Sequence, residues 1–182
     1  MEIIETRFDG LRVIIPTVWE DHRGSFFESF NEDRYLKNGI ETRFVQDNEA
    51  YSTYGVIRGL HYQLPPYGQA KLVRVTQGEV LDVVVDLRKE SATYGQQFSL
   101  ILNDITKKQL FIPEGFAHGY AVLSEEATFA YKCNNYYSPT HEGGIRYDDP
   151  GLNIDWLLPT ETHVISEKDQ SLPFLHETSF PF

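Results

Sequence analysis

Short apolar runs, each closed by glycine, proline or polar residues, recur along the chain. Leu11 to Ile15 is one, ended by Pro16, and Ser25 to Phe30 is rich in aromatics. Arg43 to Gln46, Val56 to Gln63, Leu72 to Thr76 and Glu79 to Leu87 follow. Gln97 to Leu102, Gln109 to Pro113, Gly119 to Leu123 and Ala127 to Asn134 complete the series. Runs of this length with this punctuation predict β-strands. Glu79 to Leu87 carries the strand period openly. Leu81, Val83, Val85 and Leu87 fall on one face, and Val80, Asp82, Val84 and Asp86 on the other. Two carboxylates on a half-apolar face predict a side lined by solvent or by a partner.

Helix signals are sparse. Asn31 can cap a short helix through Lys37, with Gly39 just past its end, and a second short helical piece is placed near Ser166 to Gln170. The stretch from Arg146 onward, richer in proline, aspartate and tryptophan, reads as coil with small elements. Many short strands with almost no long amphipathic helix predict an all-β sandwich or barrel. The chain shows no internal repeat, low-complexity tract or linker.

The 182 residues are the length of one domain, 1–182, and 41% hydrophobic with 24% charged residues is ordinary globular composition. Sixteen basic against 27 acidic residues leave a net charge of −11. Such a surface repels phosphate backbones, so neither nucleic acid nor an anionic membrane is expected as a partner. A small anionic ligand is compatible with it, because a few arginines in a pocket outweigh the global field locally. Cys133 is the single cysteine, which excludes an intramolecular disulfide and a Cys-based zinc site and fits a reducing compartment. The N-terminus lacks the form of a signal peptide and no apolar run approaches membrane-spanning length. The expectation is a cytoplasmic protein.

Six histidines are present, and none forms a His-x-His or His-x-x-x-His pair. Around His61 the chain reads Leu60-His61-Tyr62-Gln63, so Gln63 stands where a His-x-His metal motif has its second histidine. Pro113-Glu114-Gly115-Phe116-Ala117-His118 resembles the second motif of cupins, the double-stranded β-helix proteins. His61 and His118 alone lack the third ligand that catalytic zinc or iron uses, so a metal-free cupin is favoured over a metal-dependent oxygenase. Each histidine can also be a plain barrel or loop histidine with its bonds satisfied. Strict alternation sends Arg58 and His61 to opposite faces, although a bulge at Gly59 would bring them into one cavity. Tyr131 shares a face with Phe129 and Cys133 and points inward, as core filler or into a pocket. Lys71, Arg74 and Arg88 are cations in or beside apolar strands, each a structural ion pair or an anion clamp. Taken alone, Asp169 reads as a surface acid.

Longer segments carry a resemblance. They are Asp21 to Phe30, Phe44-Val45-Gln46-Asp47-Asn48, Arg58 to Gln63, Lys71 to Arg74, Gly78 to Val83, Ile112 to Gly119, and Ser166 to Asp169. In this order, from about the first strand to about residue 175, they resemble the dTDP-4-dehydrorhamnose 3,5-epimerases. The resemblance implies a metal-free cupin jelly roll with no cofactor, assembled as a homodimer whose N-terminal strands cross to the partner. It implies conversion of dTDP-4-dehydro-6-deoxy-D-glucose to dTDP-4-dehydro-L-rhamnose in dTDP-rhamnose biosynthesis. Carbons 3 and 5 both flank the 4-keto group, so each proton can leave through an enolate. Inversion then needs a base on one face, an acid on the other, and a cation at the enolate oxygen. By resemblance His61 is the base with Asp169 as its partner, Tyr131 the acid, and Lys71, with Arg58 near it, the cation. Arg23, Glu28, Gln46 and Asn48 are implied to hold the nucleotide end, together with Arg58, His118, Glu142 and Lys168, some of them from the partner subunit. Two alternatives remain beside the double epimerase: inversion of carbon 3 or carbon 5 alone, and a non-catalytic sugar-nucleotide-binding cupin.

Overall fold

The computed structural model describes residues 1–180 and 182. Its β-strands run in chain order β1 (Glu2–Glu5), β2 (Arg12–Ile15), β3 (Val18–Asp21), β4 (Gly24–Phe27), β5 (Gln46–Thr53), β6 (Ile57–Gln63) and β7 (Lys71–Gln77). β8 (Glu79–Asp86), β9 (Gln97–Asn103), β10 (Gln109–Ile112), β11 (Phe116–Val122), β12 (Glu126–Cys133) and β13 (Glu142–Gly144) follow. The helices are α1 (Glu32–Lys37) and α2 (Glu167–Gln170), with single 3-10 turns at Thr160–Thr162 and Leu175–Glu177.

Two antiparallel sheets face each other. One has the order β1-β2-β10-β7-β12-β5, the other β13-β6-β11-β8-β9. β3 and β4 pair as a separate hairpin. This is the jelly-roll, cupin-type all-β architecture expected from the sequence. The main core lies between the sheets, where Val73, Val75, Leu110 and Phe129 meet Val80, Val84, Phe116 and Val122. The outer face of the five-stranded sheet is covered by the segment after β13, through Ile145, Leu152, Trp156 and Phe180. The outer face of the six-stranded sheet is covered by Tyr35 of α1 and by Ile40, packed on Ile14, Leu72 and Phe111. Both sheets are therefore covered on both sides over much of their area. That explains why β8 is buried at nearly every position.

Three expectations change. Arg43 to Gln46 is not a strand; the strand begins at Gln46 and runs to Thr53. It is an edge strand whose alternation is carried by polar residues, so no apolar period announced it. β1, β3 and β13 are three or four residues long and escaped notice for the same lack of pattern. Asp82 and Asp86 face neither solvent nor a partner: both are fully buried. Asp86 is satisfied by Arg88, Ser91 and Thr93, and Asp82 Oδ2 pairs with His118 while its Oδ1 has no partner among the described residues. The α1 reading holds. The Asn31 side chain accepts from the Arg34 N–H, and Gly39 takes φ +79° past the last turn.

Strands β6 and β11 pair His61 with His118 but Arg58 with Tyr120, three steps against two. The extra residue is a bulge. Here Gly59 has φ +117°, and a Cβ on it would stand 2.6 Å from the Gly119 Cα and 2.7 Å from the His118 carbonyl oxygen. We expect Gly59→Ala to cost about 1–3 kcal/mol through the left-handed backbone alone, with the backbone contact adding to it. Urea unfolding of the variant measures this; a midpoint equal to wild type would show that the bulge tolerates a side chain.

Candidate active site

The bulge at Gly59 redirects β6, so Arg58 and His61 line one cavity of about 580 Å³. The cavity opens between the two sheets. His61, His118 and Tyr120 come from the five-stranded sheet, Lys71, Phe129 and Tyr131 from the six-stranded sheet. Val164 to Asp169 closes one side. Its volume suits a sizeable ligand, with apolar walls and a few converging polar groups.

Asp169 reaches this cavity by a chain of local bonds. Val164 lies parallel to Val56, with Ile57 N–H donating to the Val164 carbonyl and Val164 N–H to that of Gly55. Ser166 then caps α2, its Oγ accepting from the Asp169 N–H at 3.1 Å. Asp169 is 4% exposed, not a surface acid. Its Oδ1 lies 2.7 Å from His61 Nε2 and its Oδ2 accepts from the Gly59 N–H at 3.1 Å. Burial works against the carboxylate, but the hydrogen bond and charge of His61 and the Gly59 N–H outweigh it. Asp169 therefore titrates below the usual carboxylate range. An ionised Asp169 accepts only, so His61 Nε2 carries a hydrogen, and in the neutral form of the ring the lone pair is on Nδ1.

His118 is handled differently. It is buried, with Nε2 2.9 Å from Asp82 Oδ2. Burial pushes its pKa down, aided by the nearby Lys71 and His61, while Asp82 pulls the other way. Asp82 was not among the candidates. Its signal was an acid on the face of Val80 and Val84, one strand from a histidine.

Lys71 is partly buried opposite Cys133, and among the described residues its ammonium forms no ion pair or hydrogen bond. Burial lowers its pKa, and Cys133, Asp82 and Glu142 offset part of that. The Tyr131 hydroxyl likewise has no hydrogen-bond partner among the described residues, and burial raises its pKa. It packs on the main core yet also lines the cavity, so filler and pocket group are one residue. Arg58 donates from Nε to Ser52 Oγ at 3.0 Å. Of the other cations, Arg88 is an ion pair with Asp86, and Arg74 lies on the opposite face of its sheet in a separate cavity of about 300 Å³.

Lys168, which lines the cavity, donates from Nζ to Glu142 Oε2 at 2.6 Å, and the Tyr137 hydroxyl donates to the same oxygen at 2.8 Å. Gln46 Nε2 donates to Asn48 Oδ1 at 2.9 Å, and Asn48 lies opposite Tyr131 in the register. Gln46, Glu142, Arg23 and Glu28 are not among the residues that line the cavity, and Asn48 lines the separate cavity that holds Arg74. Arg23 sits at the turn of the β3–β4 hairpin, paired with Asp21, and Glu28 follows β4, paired with Arg34. No three His, Cys, Asp or Glu side chains converge as a metal-ligand set among the described residues.

The family model described as dTDP-4-dehydrorhamnose 3,5-epimerase matches residues 5–177. The chain belongs to this family. A curated relative of that name from Methanothermobacter thermautotrophicus is 50% identical, over 96% of this chain and 94% of its own length. The crystal structure of the Elizabethkingia anophelis enzyme of the same name superposes with a TM-score of 0.94 at 43% identity, covering 99% of both chains. The dTDP-6-deoxy-D-glucose-3,5-epimerase of Legionella pneumophila, solved in complex with dTDP-4-keto-L-rhamnose, gives a TM-score of 0.93 at 49% identity. That match covers 98% of this chain and 94% of the other. No helix among the described residues is long and apolar enough to cross a membrane.

The buried, neutral His118 has a consequence for stability. Its folded pKa lies below the ordinary 6.5, so below that pH the unfolded chain binds a proton that the folded chain does not. Stability therefore falls as pH drops through 6.5. Denaturation midpoints from pH 8 to pH 5 are expected to fall less steeply in His118→Asn than in wild type; equal slopes would remove His118 from the acid sensitivity.

Proposed function

We propose that this chain inverts carbons 3 and 5 of dTDP-4-dehydro-6-deoxy-D-glucose, giving dTDP-4-dehydro-L-rhamnose in dTDP-rhamnose biosynthesis. One observation carries the mechanism: His61 and Tyr131 line the same cavity from facing sheets. A sugar ring held between them would meet a base on one face and a proton donor on the other.

In this reading the lone pair on His61 Nδ1 takes the proton from the carbon next to the 4-keto group. The C–H electron pair moves into the enolate, and the charge settles on the C4 oxygen. Asp169 holds the ring tautomer and stabilises the imidazolium that forms. The unpaired Lys71 ammonium, with Arg58 near it, stabilises the enolate oxygen in a partly buried site where a cation acts strongly. Tyr131 then delivers its proton to the opposite face of the same carbon. Its high pKa keeps it protonated until that step. Loss of the proton from His61 to solvent and return of one to Tyr131 restore both groups, and the second carbon follows by the same route. Arg58, His118, Gln46, Asn48, Glu142 and Lys168 bind the nucleotide end, in a cytoplasmic setting that the free Cys133 fits.

Arg23 and Glu28 enter this reading through a second subunit. They lie at and just after a hairpin outside this chain's own cavity, and the hairpin exposes Trp19 and, at 69%, Phe26. Exposed aromatics of that size on a two-stranded arm support a homodimer in which the arm covers a partner's site. The enzyme is expected to sediment as a dimer, and Arg23→Ala to raise KM with little change in kcat. A fully active monomer would remove the arm from the site.

Proton NMR with the 4-dehydro-6-deoxyglucose nucleotide in deuterated water tests the reaction. Deuterium is expected at both carbon 3 and carbon 5. Label at one carbon alone would make this a mono-epimerase, and label at neither, in protein that binds dTDP, a binding module. His61→Ala is expected to lose about 10²–10⁴-fold in turnover with its fold intact. Near-normal turnover would reassign the base.

A further inference from the structure

Besides Tyr131, a second phenol that lines the cavity has no hydrogen-bond partner among the described residues. Tyr120 is 5% exposed, and its hydroxyl is buried without a hydrogen bond among the described residues. Its ring is fixed. It stacks on Phe129 with centroids 4.2 Å apart and planes 13° apart, and Phe129 in turn lies 6.1 Å from Tyr131 and 5.9 Å from His118. The register sets Tyr120 opposite Arg58, and the residue lines the same cavity as His61 and Tyr131. Ser52 is a neighbouring hydroxyl, and with Arg58 it offsets part of the upward pull of burial on the phenol. Ser52 Oγ accepts from Arg58 Nε, and although it lies near the phenol, no hydrogen bond of good geometry joins the two.

An unsatisfied buried hydroxyl weakens a fold, and buried polar groups are nearly always paired. One that lines a ligand cavity can be paired when the cavity fills. We propose that the Tyr120 hydroxyl is a specificity-determining contact for the hexose, bonding a hydroxyl group in the part of the cavity lined by Arg58 and Tyr131. A neutral phenol suits a neutral donor–acceptor, whereas the phosphates have Arg58 and Lys168. The hydroxyl belongs either to the sugar ring or to a water that the ring holds there. A stacked phenol has a fixed reach, so this contact would set the rotation of the ring and hence which carbon faces Tyr131. The inference rests on reading the cavity as a sugar-nucleotide site; it does not depend on how many carbons are inverted.

Tyr120→Phe keeps the ring and its stacking and removes the oxygen. Calorimetric titration with dTDP and with dTDP-glucose, thermal melting without ligand, and deuterium incorporation at the two ring carbons form the test. We expect unchanged affinity for dTDP, about tenfold weaker binding of dTDP-glucose, and a melting temperature equal to or above wild type. Unchanged dTDP-glucose affinity with a shifted ratio of exchange at carbons 3 and 5 would assign the contact to a bridging water. Unchanged affinity and ratio would overturn the proposal. So would a lower melting temperature with unchanged affinity, which would make the hydroxyl structural. If wild-type protein exchanges neither carbon yet the variant still binds dTDP-glucose selectively more weakly, the catalytic reading fails and this contact stands.

Discussion

Backbone meets backbone where β6 crosses β11, and no side chain fits between Gly59 and Gly119. The site depends on this contact. Without the extra residue on β6, Arg58 and His61 would face opposite sides of the sheet, one into the cavity and one into the covering layer. The same bulge turns the Gly59 N–H away from the ladder and toward Asp169. A carboxylate buried to this degree needs more than one donor to stay ionised, and the backbone supplies the second. Strand geometry, the direction of the imidazole and the charge of its partner thus share a single cause.

Two histidines paired with two aspartates stand side by side across that crossing, and their surroundings separate them. His61 is partly open to the cavity, and its aspartate also accepts from the backbone. His118 lines the same cavity but is only 7% exposed, and burial suppresses its charged form. Identical residue types are thus set for different tasks by access to solvent, with one imidazole free to exchange a proton with the cavity and the other held neutral. Lys71 lies near both Asp82 and Glu142 without pairing to either, which leaves its charge for whatever enters.

Much of this was legible from local pattern. β8 announced itself by strict alternation, and α1 by a capping asparagine and a closing glycine. The bulge was legible as a glycine between two residues that needed one cavity. Other features were not. β5 pairs through its backbone and carries polar side chains at a sheet edge, where no hydrophobic period is required. Asp169 looked like a surface acid because α2 is one turn long and its burial is decided by where Val164 docks, more than a hundred residues from Val56 in the chain. Asp82 was misread because the rule that places carboxylates outside has an exception for those given a partner, and His118 is remote in sequence. The assignment of His61 came from resemblance; no isolated feature of the residue compelled it.

The order of these parts along the chain has a consequence for synthesis. Every strand of both sheets precedes Asp169 in the chain. As the polypeptide emerges from the ribosome, the strands are made while one side of the cavity is still open and His61 still lacks its carboxylate. The wall of the cavity and the partner of the imidazole then arrive together, on the same short segment. A chain interrupted before it would have an open cavity and no carboxylate behind its histidine, so binding and proton transfer are switched on by one folding event.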